Sequence, residues 1–280
     1  MKQRKKTGQE RLIFAGMAVC IGVLVYCAFQ FSRYIEESRN HQKAREEAVS
    51  RYVSAQPAGS EDAADFSVDF AGLRCVSKHV VGWIRIAGLE VIDYPIVQGS
   101  DDTYYLRHTW DDRVSRYGAI FMEWENQPDF NDLHTILYGH SMNDGSMFGS
   151  LKQYANADFY SQFGGEITIS LPAETRRYRI FSVEYAQPDA FNVYTIGFGH
   201  DETYAEFIQG FHERALYKTD VEATRADSVL TLSTCSDNGS AGLSFMPGWS
   251  LSSRIIHEKA GRSSSAFFYR IVKPELRGNP

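Results

Sequence analysis

A chain of 280 residues, 43% hydrophobic and 23% charged, has the composition of a globular protein with ample material for a packed core. Its net charge of −6 argues against the basic face that tracks nucleic acid, so no nucleic-acid partner is expected. Four cysteines are too few for a disulfide framework, while 16 Tyr and 18 Phe favour strands.

The first predicted element is a membrane anchor. Residues 12–29 read LIFAGMAVCIGVLVYCAF, a run without a charge that is long enough to cross a bilayer as a helix. Lys2, Arg4, Lys5, Lys6 and Arg11 precede it, and Arg33, Glu36 and Glu37 follow. The basic excess predicts a cytoplasmic tail over residues 1–11, a single-pass anchor over 12–31 in the cell membrane, and an extracellular remainder. A cleaved signal peptide is the competing reading. Its apolar core is usually shorter and ends at a small-x-small site, which Gln30-Phe-Ser-Arg-Tyr34 lacks. Cys20 and Cys27 fall inside the run and read as small hydrophobes, leaving Cys75 and Cys235 in the exported part.

Residues 32–53 are charged, lack Gly and Pro, and carry opposite charges at i,i+4 in Lys43/Glu47 and Glu47/Arg51. They predict a solvated helical stalk without the apolar heptads of a coiled coil. A small, acidic linker over 54–67 completes a stalk-and-linker region, residues 32–68. From residue 69 short β-type runs alternate with turn signals, at 80–86, 91–97, 119–122, 134–138, 166–171, 178–183 and 229–234. Helical stretches at 147–154 and 201–215 interrupt them. Many short strands with irregular loops predict a mainly β (α+β) domain over residues 69–240, a closed barrel or a sandwich.

The run Ser228-Val-Leu-Thr-Leu-Ser-Thr-Cys-Ser-Asp237 ends a strand on a cysteine. A thiol is a useful nucleophile only as thiolate and needs a cation nearby, typically imidazolium. Of His79, His108, His134, His140, His200, His212 and His257, His140 stands out. It leaves a strand in Tyr138-Gly-His-Ser-Met142, ahead of the turn signal Asn143-Asp-Gly145. Ser233, Thr234 and Asp237 flank the cysteine, where they could orient a substrate or donate to an oxyanion, or simply satisfy a strand end. Tyr104, Tyr105 and Leu106 follow a turn and could line a groove. No spacing of His, Cys and Asp matches a metal-ligand set.

These blocks resemble a sortase of class B. Tyr138-Gly-His-Ser-Met142, Asp144-Gly-Ser-Met-Phe-Gly149 and Thr231-Leu-Ser-Thr-Cys235 carry the likeness, joined by Val81-Gly-Trp-Ile-Arg-Ile86, Asp93-Tyr-Pro-Ile-Val-Gln-Gly99 and Tyr117-Gly-Ala-Ile-Phe-Met122 in the same order. The resemblance implies a closed sortase-type barrel of about eight strands with flanking helices, tethered outside the membrane of a Gram-positive cell. It also implies a transpeptidase. Cys235 would attack a threonine carbonyl in the C-terminal sorting motif of an exported protein. His140 would protonate the leaving amine. An amine of a peptidoglycan precursor or a pilin would then resolve the thioester. A thioester keeps the energy of the amide, so neither ATP nor a cofactor is needed.

The pattern breaks after Cys235. The family's third residue, an arginine on the next strand about ten residues on, has no counterpart in residues 236–253. Arg254, followed by Ile255-Ile256, is the first candidate, and Arg270 is the second. Residues 241–280 read either as an inserted loop plus last strand or as a frameshifted tail. Stepping one base back in a back-translation of Gly242-Leu-Ser-Phe-Met-Pro-Gly-Trp-Ser250 gives Leu-Val-Val-His-Ala-Arg-Leu-Val under suitable synonymous codons, with a possible arginine just before. The competing functions are a cysteine protease, disfavoured because its nucleophile usually opens a helix, and a non-catalytic membrane-tethered surface protein.

Overall fold

In a computed structural model of the chain, the structure describes residues 8–55, 66–184, 194–198, 201–235 and 264–271; at 8–12, 201, 235 and 264–271 it describes the backbone only. The chain divides into two compact units, residues 1–47 and 48–280. The first is the greater part of helix α1 (Gly8–Tyr52), which contains a stretch long and apolar enough to cross a membrane, with its described apolar side chains exposed. The expected stalk is thus helical and continuous with the apolar run. The basic residues up to Lys6 lie outside the described residues.

The second unit opens with the last turn of α1, whose Ala48 and Tyr52 are buried in its core. The expected linker is more than a tether at its ends. β1 (Val53–Ala55) and β2 (Phe66–Val68) pair antiparallel, while residues 56–65 lie outside the described ones. Asp69 then caps α2 (Phe70–Val76) by accepting the Gly72 N–H at 2.9 Å.

The main element of this unit is an eight-stranded sheet: β3 (Val80–Ile86), β4 (Asp93–Gln98), β5 (Ile120–Met122), β6 (His134–His140), β7 (Glu166–Ser170), β8 (Thr175–Arg179), β9 (Ser228–Cys235) and β10 (Ser264–Ile271), in the order β10-β9-β6-β5-β4-β3-β7-β8. β10 also approaches β8, so the sheet curls into a nearly closed barrel, as expected from the sequence. The β4–β5, β6–β9 and β9–β10 pairs are parallel. Strands buried on both faces explain the near-continuous apolar runs. Ile84, Ile96, Leu137, Ile169, Leu230 and Leu232 share one core cluster, while Trp83, Val97, Phe121, Ile136 and Tyr138 belong to a second with α2. A third cluster packs α4 (Asp201–Arg214) through Tyr204, Phe207, Ile208 and Phe211, at helical i, i+3, i+4, i+7 spacing, onto Phe181 and Val229.

Three expected elements shift. The strand expected over 178–183 is β8, which ends at Arg179. The chain after it leaves the ladder to meet α4, with Ser182 Oγ donating to the Phe211 carbonyl at 3.0 Å. The helix expected over 147–154 is a 3-10 segment, Gly149–Ala155. Met147 has φ 52, a left-handed conformation that no helix continues through. The strand expected from 91 starts at Asp93, because the Ile92 N–H is committed to a turn with the Leu89 carbonyl. A short α3 (Ala157–Phe163), capped by Asn156 and closed by left-handed Gly164, was not anticipated.

Candidate active site

β6 and β9 are adjacent parallel strands whose register runs from His134↔Val229 to His140↔Cys235. Both strands end at this last pair. The two residues singled out from the sequence are therefore neighbours at one end of the barrel, on backbones about 4.8 Å apart as in any sheet. A cysteine that closes a strand also departs from the helix-opening arrangement of the protease alternative.

His140 is buried, and its Nε2 donates to the Leu106 carbonyl at 2.7 Å. That carbonyl belongs to a 3-10 turn, Tyr104–Leu106, whose start is fixed by Asp101: its Oδ1 accepts the Thr103 and Tyr104 N–H groups at 2.7 and 2.9 Å and the Thr103 hydroxyl at 2.6 Å. These bonds hold the Asp101 carboxyl below its ordinary range. Of the three residues named from the sequence, Tyr105 is buried, with its hydroxyl 2.7 Å from His79 Nδ1, and Tyr104 is exposed and stacked on His108.

The segment after His140 folds back on the strand. Phe148 N–H donates to the His140 carbonyl at 3.0 Å, and Ser141 bridges Met147. Asp144 accepts the Ser146 N–H and hydroxyl on one oxygen and the Tyr117 hydroxyl on the other. Two glycines are steric requirements. A Cβ on Gly139 would sit 2.8 Å from the Phe148 ring, and one on Gly149 would sit 2.2 Å from the Met142 carbonyl oxygen. The motif around His140 thus encodes its loop as well as its imidazole.

On β9, Thr231, Ser233 and Thr234 are buried. Among the described residues Ser233 Oγ has no hydrogen-bond partner. Thr231 Oγ1 lies 2.6 Å from His134 Nε2, and His134 Nδ1 lies 2.9 Å from the Thr195 carbonyl. Burial brings the His134 pKa down to about 4, so the ring is neutral; Nδ1 donates to the carbonyl and Nε2 accepts from the hydroxyl.

Sequence reasoning passed over a carboxyl pair beside this region. Glu123 is buried and accepts the Tyr138 hydroxyl. Burial pushes the Asp102 pKa up to about 8, helped by its hydrogen bond to Glu123 and that neighbour's charge, while the Trp124 N–H donates to Asp102 Oδ1 at 3.0 Å. Nothing in the spacing of Asp102 and Glu123 advertises the contact, since it depends on β5 delivering Glu123 beneath the turn.

Asp237, Arg254 and the stretch 242–250 lie outside the described residues. Arg270 is on β10, register partner of Thr234. Among the described residues no group of three or more His, Cys, Asp or Glu could hold a metal ion.

Residues 84–243 match the family model of the sortase domain. Sortase B of Listeria monocytogenes is 31% identical over 225 residues, 78% of this chain and 87% of that protein. Sortase B of Staphylococcus aureus is 31% identical over 170 residues, 60% of this chain and 68% of that one. The crystal structure of sortase B from B. anthracis in complex with AAEK1 matches with a TM-score of 0.58 and 32% identity, covering 71% of this chain and 88% of that one.

Proposed function

The chain belongs to the sortase family, a family of transpeptidases, and to its class B; on that premise we propose that it is a membrane-anchored cysteine transpeptidase of the cell surface. Cys235 attacks the threonyl carbonyl in the C-terminal sorting motif of an exported protein and forms a thioester. An amine of a peptidoglycan precursor or of a pilin then displaces the thiolate. His140 protonates the departing amine in the first half and deprotonates the incoming one in the second, so one imidazole serves two easier steps in place of one hard one. Ser233, Thr234 and Asp237 are the neighbours of the bound substrate. The apolar stretch of α1 anchors the chain, with the basic N-terminus cytoplasmic and the barrel outside.

The observation that carries this reading is the register pair His140↔Cys235 at the shared end of two parallel strands. It makes the residue that carries the imidazole and the residue that carries the thiol register partners on adjacent strands. The test is covalent trapping of the full-length protein with a thiol-reactive sorting-motif peptide. Wild type is expected to be labelled and Cys235→Ala is not; equal labelling of both removes the nucleophile assignment.

A second reading is a chain of impaired activity. The family match ends at residue 243, close to the point where a shifted frame would begin. Under this reading residues 241–280 are not sortase sequence and no arginine completes the site; under the first, Arg254 is the third catalytic residue. Sequencing the genomic DNA across codons 236–280 separates the two. A single uninterrupted frame whose neighbouring frame lacks Arg-Leu-Val-Val removes the frameshift.

A further inference from the structure

His140 Nε2 lies 2.7 Å from a carbonyl oxygen, that of Leu106. A carbonyl has no hydrogen to give, so the hydrogen in this bond belongs to Nε2. Neutral imidazole carries hydrogen on one nitrogen, and imidazolium carries it on both. If Nε2 keeps its hydrogen in both charge states, the proton that comes and goes is on Nδ1.

The carbonyl is held firmly enough to impose this choice. Asp101 ties the start of the turn through three bonds. The Leu106 N–H returns to the Thr103 carbonyl, and the Tyr105 carbonyl accepts the Ala119 N–H at 2.9 Å. Gly118, with φ +61, lets that strand approach, since a Cβ there would sit 2.5 Å from the Tyr105 oxygen. The imidazole is fixed from the other side by the Phe148 N–H bond to the His140 carbonyl and by the Phe148 ring against Gly139.

We propose that Nδ1 of His140 is the atom that carries the proton in both halves of the transfer, and that the 101–106 turn, secured by Asp101 and Gly118, is the positioning device that reserves it. This rests on the reading of Cys235 as nucleophile and His140 as acid and base. In the first half Cys235 Sγ bonds the threonyl carbon, the carbon–nitrogen bond breaks with its electron pair on nitrogen, and Nδ1–H supplies that nitrogen's proton. In the second half the amine nitrogen bonds the thioester carbon and gives its surplus proton to Nδ1. The carbon–sulfur bond then breaks with its pair on sulfur, restoring thiolate and imidazolium. Asp101 and Gly118 touch neither substrate nor reacting atoms, so they are positioning residues.

The test is ring-nitrogen NMR on full-length protein labelled with nitrogen-15 histidine, solubilised in detergent, with His140→Gln identifying the resonances. The expected neutral form has hydrogen on Nε2. A neutral form with hydrogen on Nδ1 overturns the inference. Gly118→Ala, which crowds the turn, is expected to mix the two tautomers and lower kcat about 100-fold while KM stays nearly constant. Should that variant fail to fold, Asp101→Ala is expected to show the same mixing and loss, and Asp101→Asn, which keeps an acceptor oxygen, to recover both. An Asp101→Ala protein with wild-type kcat and an unmixed tautomer overturns the positioning role. Peptide labelling that persists in Cys235→Ala would remove the underlying reading instead and leave the tautomer assignment standing.

Discussion

The two ends of β6 carry the same residue type in opposite employment. His134 at the start is enclosed, with one nitrogen on the Thr195 carbonyl and the other on Thr231. His140 at the end is buried too, but the hydrogen bond described for it uses Nε2 alone. Both strand ends border β9. A histidine with both nitrogens committed is a strut; one with a single nitrogen committed has an oriented ring and a nitrogen left for chemistry. Burial alone does not separate the two.

The largest effect that could break this comparison is kinetic. His140→Gln should lower acyl transfer to an amine by about 1000-fold, with little change in unfolding midpoint. His134→Gln should do the reverse, leaving Cys235 open to peptide labelling while lowering the midpoint. Comparable kinetic losses in both variants would erase the distinction.

A second effect is on stability. The folded His134 pKa of about 4 lies below the ordinary 6.5, so the unfolded chain binds more protons between these values. Stability from this group is full above the unfolded value and is lost as pH falls towards 4, by about 3 kcal/mol. Denaturant unfolding between pH 6.5 and pH 4, compared with wild type, should lack this contribution in His134→Gln and keep it in His140→Gln.

These contrasts also mark what was legible in the sequence. A turn signal after His140 and a strand ending on Cys235 singled out the two candidates, the short β-type runs pointed to a barrel or a sandwich, and the sortase likeness chose the barrel. Their pairing needed the parallel β6–β9 register, which joins segments about ninety residues apart. The Leu106 carbonyl was out of reach, because a backbone oxygen leaves no mark in the residue pattern. The left-handed Met147 turned an expected helix into a 3-10 segment for a similar reason: a non-glycine residue at positive φ carries no signal.

Smaller effects sharpen the picture of the loop that follows His140. Gly149→Ala would bring a Cβ to 2.2 Å from backbone, which cannot yield as a side chain could. It should cost about 1–3 kcal/mol in denaturant unfolding. The carboxyl pair tests the alkaline side of the same profile. Asp102 titrates near 8 when folded and near 3.8 when unfolded, so the folded state binds the extra proton and stability falls as pH rises between those values. Asp102→Asn should remove that decline, seen alone between pH 6.5 and 8, and should steepen the acid-side slope of His134 that it opposes below pH 6.5, as read from thermal midpoints across pH 4–9.

The central claim is that Cys235, the register partner of His140, captures an acyl group on its sulfur. The most direct measurement is intact-mass spectrometry of the full-length protein mixed with a threonine-containing sorting peptide, with and without an amine acceptor. The account predicts an adduct of the threonyl fragment on Cys235 that accumulates without amine, is discharged by hydroxylamine, and drains when amine is added. Cleavage of the peptide that proceeds undiminished in Cys235→Ala would contradict it.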